Sequence, residues 1–223
     1  MEIKRGVSVY DLAPAVVRDL LGEMVRLPAG TVVVGRGEAG EPVAICLPGI
    51  DTGHCLVDLP AEEAYDLLLL AALSAGWYRS PMEVQLVTDL EELGWVVHLA
   101  RPAGIGWQEA KPWLLSLAKI RDDEWMKSPA VVVVMRDMML TSREGLELRK
   151  AGIYLFGTGR FQYGAIIRRP GPDPVPGRWE QFLLRVGLRK EEPAFPCESG
   201  KVLELAPTFE PAFRFCVPAL VED

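Results

Sequence analysis

Apolar residues recur at helical spacing from Asp11 to Arg26, where Leu12, Val16, Val17, Leu20, Leu21 and Val25 line one face and Pro14 is tolerable only in the first turn. The pattern predicts an amphipathic helix. Thr31 to Gly35 and Pro42 to Leu47 are short β-prone runs around Gly37-Glu38-Ala39-Gly40, which predicts a hairpin, and Cys55 to Leu59 adds a third strand to a small antiparallel sheet. Glu62 to Ala75 is apolar on nearly every face in its second half and closes at Gly76, so it reads as a buried helix. Ser80-Pro81-Met82-Glu83 has the form of a capping box with proline at the first helical position. Met82, Leu86, Leu90 and Leu93 then extend a predicted helix to Gly94, followed by a strand from Trp95 to Ala100.

Pro112 to Ile120 reads as a shorter helix that begins at the proline. Val131 to Val134 are four consecutive β-branched residues, the pattern of a strand packed on both faces, and Thr141 with Glu144 makes a second capping box before a helix ending near Gly152. Ile153 to Phe156 and Phe161 to Ile167 read as strands joined by a glycine-rich turn. Gly171 to Gly177 carries three prolines and reads as a stiff connector; helical spacing resumes over Trp179 to Leu188, and Lys201 to Leu205 and Phe213 to Val217 read as late strands. The expected fold is α+β or mixed α/β, a mixed sheet with packed helices and a central strand near Val131 to Val134. A polar junction at Asp122 to Ser128 divides an acidic α+β region, 1–128, from an α/β region, 129–223, unless the two form one continuous domain.

Charge sharpens that division. Residues 1–128 hold 11 Lys/Arg against 19 Asp/Glu, residues 129–190 hold 11 against 5, and residues 191–223 hold 2 against 7, so a formal net charge of −7 conceals one basic stretch. The longest apolar run, Leu67 to Leu73, is far shorter than the roughly 20 residues that span a bilayer, and no signal-like segment follows Met1 to Gly6. A soluble, cytoplasmic protein with no membrane partner is expected. Four widely spaced cysteines, Cys46, Cys55, Cys197 and Cys216, read as reduced thiols in place of a disulfide scaffold. The chain has no Asn and only four Gln beside 18 Pro, a depletion of thermolabile amides that fits a hot environment or GC-rich coding equally.

Within the basic stretch lies Gly157-Thr158-Gly159-Arg160-Phe161-Gln162-Tyr163-Gly164. Glycines let a backbone approach closely, open amides can form an anion nest, and Arg160 offers a fork of donors to phosphate or carboxylate. The run lacks the GxGxxG dinucleotide pattern and is not followed by the Gly-Lys-Ser/Thr of a phosphate-binding P-loop, and a turn with a solvated arginine is the plain structural reading. Arg168, Arg169 and Arg178, with Arg185, Arg189 and Lys190, extend the basic character, and Phe161 or Tyr163 offers a face on which a base could stack; an ordinary charged face is the plain alternative. The helix expected from Pro81 carries Glu83, Asp89, Glu91 and Glu92 and no Lys or Arg, which is the wrong charge for a DNA recognition helix.

Asp51, His54 and Cys55 form the densest group of reactive side chains. An enzyme pocket would draw on them as catalytic residues, and a metal site would need Cys46 and His98 brought to His54 and Cys55 by the fold, although the spacing matches no compact zinc motif. Neighbouring carboxylates at Glu62/Glu63, Asp122/Asp123/Glu124 and Glu191/Glu192 read as helix starts and connectors, and Met135, Met138 and Met139 as core or interface filler. The leading expectation is a binding or regulatory protein. It would contact a phosphorylated small molecule, a nucleic-acid backbone or an acidic protein through Gly157, Thr158, Gly159, Arg160, Arg168, Arg169 and Arg178, with no cofactor specifically indicated. The alternatives are an enzyme with an Asp/His/Cys pocket, a nucleic-acid-associated protein and a purely structural interaction module.

Overall fold

The computed structural model describes residues 15–22, 27–37, 39–77, 79–96, 98–121, 128–170, 200–207 and 213–220. In chain order its elements are α1 (Ala15–Gly22), β1 (Thr31–Arg36), β2 (Pro42–Cys46), β3 (His54–Asp58), α2 (Ala61–Ala75), β4 (Val84–Thr88), α3 (Trp107–Ile120), β5 (Ala130–Met139), α4 (Ser142–Lys150), β6 (Ile153–Arg160), β7 (Ala165–Arg168), β8 (Lys201–Pro207) and β9 (Phe213–Val217). The nine strands form one sheet in the order β2-β1-β9-β8-β7-β3-β6-β5-β4. From β7 to β4 the pairings are parallel, whereas β7–β8, β8–β9, β9–β1 and β1–β2 are antiparallel. The result is a mixed α/β fold with helices packed on a mixed sheet. Strands from either side of residue 128 interleave in it, β3 lying between β6 and β7.

The valine run does what its chemistry dictates. Val132 and Val134 enter the core shared with α1 and α2, while Val131, Val133 and Met135 enter a second core shared with α3 and α4. All five are fully buried, because a parallel strand between two helix layers has no wet face. Helix α2 is buried along most of its length, and Ser74 fastens it to the sheet: its hydroxyl accepts a 2.8 Å hydrogen bond from the Val33 amide and donates to the Ala71 carbonyl. Val33 stands at a bulge in the β1–β2 ladder, so this bond satisfies an amide at an irregular point in the pairing.

Several local expectations are corrected. The hairpin forms, but β3 does not join it; β3 pairs in parallel with β6 and β7 in the middle of the large sheet. The helix expected from Pro81 is the strand β4. Ser80 and Glu83 make half of the box: the Ser80 amide lies 3.0 Å from Glu83 Oε2, but the Glu83 amide donates to the Ser80 carbonyl at 2.9 Å and not to its hydroxyl, and they close one turn only. Val84 and Val87 then extend beside β5, a case of tertiary pairing overriding a local capping signal. Among the described residues, the strand expected from Trp95 to Ala100 reduces to one bridge, Leu99 beside Leu86. Helix α3 begins at Trp107 with Pro112 inside it, because Trp107, Ala110, Leu114 and Ala118 make a buried stripe that holds the helix across the proline.

Cys216 is disulfide-bonded, whereas Cys46 and Cys55 are free, which corrects the expectation of reduced thiols throughout. The connector at 171–177, the helical pattern at Trp179 to Leu188, the junction at 122–127 and Arg178, Arg185, Arg189, Lys190 and Cys197 lie outside the described residues. Among the described residues no helix is long and apolar enough to cross a membrane.

Candidate functional site

The order of the parallel strands reverses at β3. After β3 the chain passes to β4, β5 and β6 on one side and then to β7 on the other. In open α/β sheets a ligand crevice forms at the carboxyl ends of the strands where the order reverses. Here that rim is built from Asp58 at the end of β3, the start of α2, the residues after β4, the end of β5, and Gly157 to Arg160.

The glycine-rich residues occupy a strand instead of the expected turn. Gly157 and Gly159 have φ of +154° and +139°, and a Cβ on them would stand 1.9 Å from the Met135 carbonyl oxygen and 2.0 Å from that of Met138. The neighbour that demands glycine is therefore β5, whose ladder with β6 slips between Met135 and Met138. The true connection is Phe161 to Gly164, which carries the chain past β3 into β7. Phe161 is buried and Tyr163 exposed, so the two aromatics do not share one environment.

The bulge places Asp137 at φ +53°, among the described residues the one non-glycine in the left-handed region. Its amide donates to Thr158 Oγ1 at 3.0 Å. Beside it the Arg136 guanidinium donates through Nε to Asp89 Oδ2 at 2.8 Å, and this bond, ahead of the opposing effect of burial, raises the basicity of Arg136. Tyr65, on α2, donates its hydroxyl to Glu92; burial first and Glu92 second push its phenol up to about 12.

Arg160, Arg168 and Arg169 are all exposed at the carboxyl ends of β6 and β7. Two of them are already engaged. Arg168 donates through Nη2 at 2.8 Å to Glu204, which is 4% exposed, and Arg169 pairs with Glu63, holding that carboxyl below its usual range. Lys201 donates to the Glu63 carbonyl at 3.2 Å. Arg160 makes no side-chain ion pair among the described residues. It lies opposite Met139 in the β5–β6 ladder, and Met139 is 53% exposed.

The Asp51, His54 and Cys55 group does not converge. Asp51 is exposed in the turn before β3, while His54 and Cys55 are consecutive strand residues and both are buried. Both His54 nitrogens are taken by backbone: Nε2 donates to the Gly145 carbonyl at 2.9 Å and Nδ1 accepts from the Leu155 amide at 3.2 Å, which fixes the neutral tautomer. Complete burial pushes the Cys55 thiol far up, the opposite of what a nucleophile needs. Cys46 ends the strand at one edge of the sheet, and the His98 backbone bonds Leu86 on the strand at the other edge. Among the described residues no three His, Cys, Asp or Glu side chains gather as a metal site would require.

The engaged rim residues Asp89, Arg136, Asp137 and Thr158 were not legible as a group. Only the Arg136-Asp137 pair after an apolar strand could have suggested them, since strand ends face the crevice.

No protein-family model matches the sequence, and no curated protein matches it. Solved structures do share the fold. ATPases 2 and 3 of EccC from Thermomonospora curvata, determined in complex with a signal sequence peptide, are 13% identical over 97% of this chain and 44% of that one, with a TM-score of 0.58. The cytoplasmic domain of EssC is 13% identical over 93% of this chain and 47% of that one, with a TM-score of 0.55. ATPases 2 and 3 of EssC from Geobacillus thermodenitrificans are 14% identical over 88% of this chain and 42% of that one, with a TM-score of 0.50. The chain thus spans less than half the length of these solved chains, and what it shares with them is the fold.

Proposed function

We propose that this chain is a non-hydrolysing binding module built on an ATPase-type sheet, and that it contacts an acidic segment of a protein partner at the rim carrying Arg160. The observation that carries the reading is the crossover from β3 to α2. A nucleotide-hydrolysing domain of this architecture places a glycine-rich loop ending in Gly-Lys-Ser/Thr between such a strand and helix, so that backbone amides and a lysine cradle the phosphates. Here the connection is Leu59-Pro60, and the first turn of α2 carries Glu62 and Glu63. Those carboxylates complement the positive end of the helix dipole and repel phosphate, and Arg169 and Lys201 are engaged with Glu63.

Protein contact fits the remaining exposed groups. Met139 and Arg160 face solvent side by side, Tyr163 is 40% exposed on the connection that leaves β6, and arginine, methionine and tyrosine are enriched where proteins meet. An unpaired arginine selects a carboxylate-bearing partner. The solved relative with a bound signal sequence peptide supports a peptide ligand of some kind for this architecture.

Calorimetric titration tests both halves. Mg-ATP and Mg-ADP are expected to give no saturable binding to the full chain. Acidic peptides are expected to bind with an affinity that falls as salt rises and drops about tenfold in Arg160→Ala, the scale of one charge-assisted hydrogen bond. Saturable nucleotide binding with hydrolysis would overturn the first half; acidic-peptide affinity unchanged in Arg160→Ala would overturn the second.

A further inference from the structure

We propose that His54 is a proton-sensitive clip that holds α4 and the β6–β7 connection against the sheet and releases them in mild acid. The connection is unusual in its brevity. Parallel strands are ordinarily joined by a dozen or more residues, whereas Phe161 to Gly164 carry the chain from β6 past β3 to β7 in four. So short a segment cannot form a helix that packs for itself and relies on what it touches. It touches His54: the Gly164 amide donates to the His54 carbonyl at 3.0 Å, and the Phe161 ring stands edge-on to the imidazole, at 6.2 Å between centroids and 87° between planes.

The same imidazole reaches two further elements. Nε2–H donates to Gly145 in the first half of α4, where a glycine lets the helix come close, a Cβ there lying 3.4 Å from Nε2. Nδ1 accepts from the Leu155 amide of β6. With the residue 1% exposed, every polar atom of the ring is accounted for in the neutral form. A second proton must go to Nδ1, where it meets the Leu155 N–H, donor against donor. Burial outweighs the Gly145 and Gly53 backbone groups that favour the charged ring, so the imidazolium is disfavoured unless the ring leaves its place.

The surrounding charges offer no relief. From α4 the charged group that acts on the ring is Arg149, a cation, and it reinforces the effect of burial in lowering the basicity of His54. The α4 carboxylates Glu144 and Glu147 are held by Lys111 and Arg143. Tyr154 of β6 and Cys55 of β3 belong to the core shared with α1 and α2, and both are held protonated by burial. Asp51, in the turn before β3, is not among the groups that move the ring's basicity.

The linkage has a definite sign. Folded, His54 binds its proton less readily than an exposed histidine, so the open form takes up the proton first, and opening grows as pH falls below about 6.5, approaching tenfold per pH unit until the folded ring itself titrates. Amide hydrogen exchange at pH 7.5, 6.5 and 5.5, each rate normalised to the intrinsic rate at that pH, reads this directly. Protection over Ser142–Lys150 and Phe161 to Gly164 is expected to fall in that proportion, while α2 stays protected. His54→Gln, neutral throughout, is expected to give a flat profile in the same segments. Unchanged protection of α4 in the wild type, or the same acid response in His54→Gln, would overturn the proposal. Should His54→Gln not fold, the wild-type imidazole titration followed by NMR decides: a ring that titrates at or above 6.5 while α4 keeps its protection overturns it equally.

Discussion

Gly157, Gly159 and Gly40 share a backbone region that side chains avoid, yet they predict different outcomes. At Gly157 and Gly159 an added Cβ meets a main-chain oxygen of β5 at 1.9 and 2.0 Å, whereas at Gly40 it meets nothing within 4 Å. Gly40→Ala therefore carries only the left-handed strain, roughly 1–2 kcal/mol. Gly157→Ala and Gly159→Ala add a collision with backbone that cannot swing aside, and each is expected to lose about 3 kcal/mol or more in urea unfolding. Equal losses at all three positions would show that β5 and β6 are less closely apposed than described. The sequence pointed to close approach at these glycines, and the neighbour found there is β5, since a glycine string records that something comes near and not whether it is a ligand or a neighbouring strand.

At the scale of the element, the capping signals were the most legible part of the chain and also the least decisive. Thr141 and Glu144 close their box at the start of α4, with the Thr141 amide 2.8 Å from Glu144 Oε2, and a helix follows. Ser80 and Glu83 make only the return half, from the Ser80 amide to the Glu83 carboxylate, and a strand follows. Part of the difference lies beyond the cap: after Thr141 come Arg143, Glu144, Leu146 and Glu147, whereas after Ser80 come Val84 and Val87 beside β5. Long-range pairing decided the second case, and no local window contains it. Thr141→Ala should cost about 1 kcal/mol and fray α4 from its first turn, visible as a loss of amide protection there. Ser74→Ala should cost more, about 1–3 kcal/mol, because it strands the buried Val33 amide at the bulge; thermal melts that rank Thr141→Ala as the more damaging would contradict that reading of the α2–β1 contact.

For the molecule as a whole, the basic stretch was visible in the charge count, but its pairing was not. Glu204 and Glu63, which engage Arg168 and Arg169, lie 36 and 106 residues away in sequence, so of the three arginines of the patch among the described residues two are paired and Arg160 stands apart. The polar junction at Asp122 to Ser128 left open either a boundary or one continuous domain, and strands from both sides of it share one sheet. A fragment ending at residue 128 would keep β3 without β6 or β7 on either side, and it is expected to show no cooperative unfolding transition by circular dichroism.

The place of β3 also has a consequence in time. His54 meets the Leu155 amide across 101 positions, so at ordinary translation speeds of about 5–20 residues per second the strand leaves the ribosome roughly 5–20 s before its neighbours exist. Through that interval Cys55 and Val57, which end fully covered, have nothing to pair with. The nascent chain is then a client for holding chaperones, and synonymous codons that slow synthesis between residues 60 and 150 would lengthen its exposure and lower the soluble yield without altering a single amino acid.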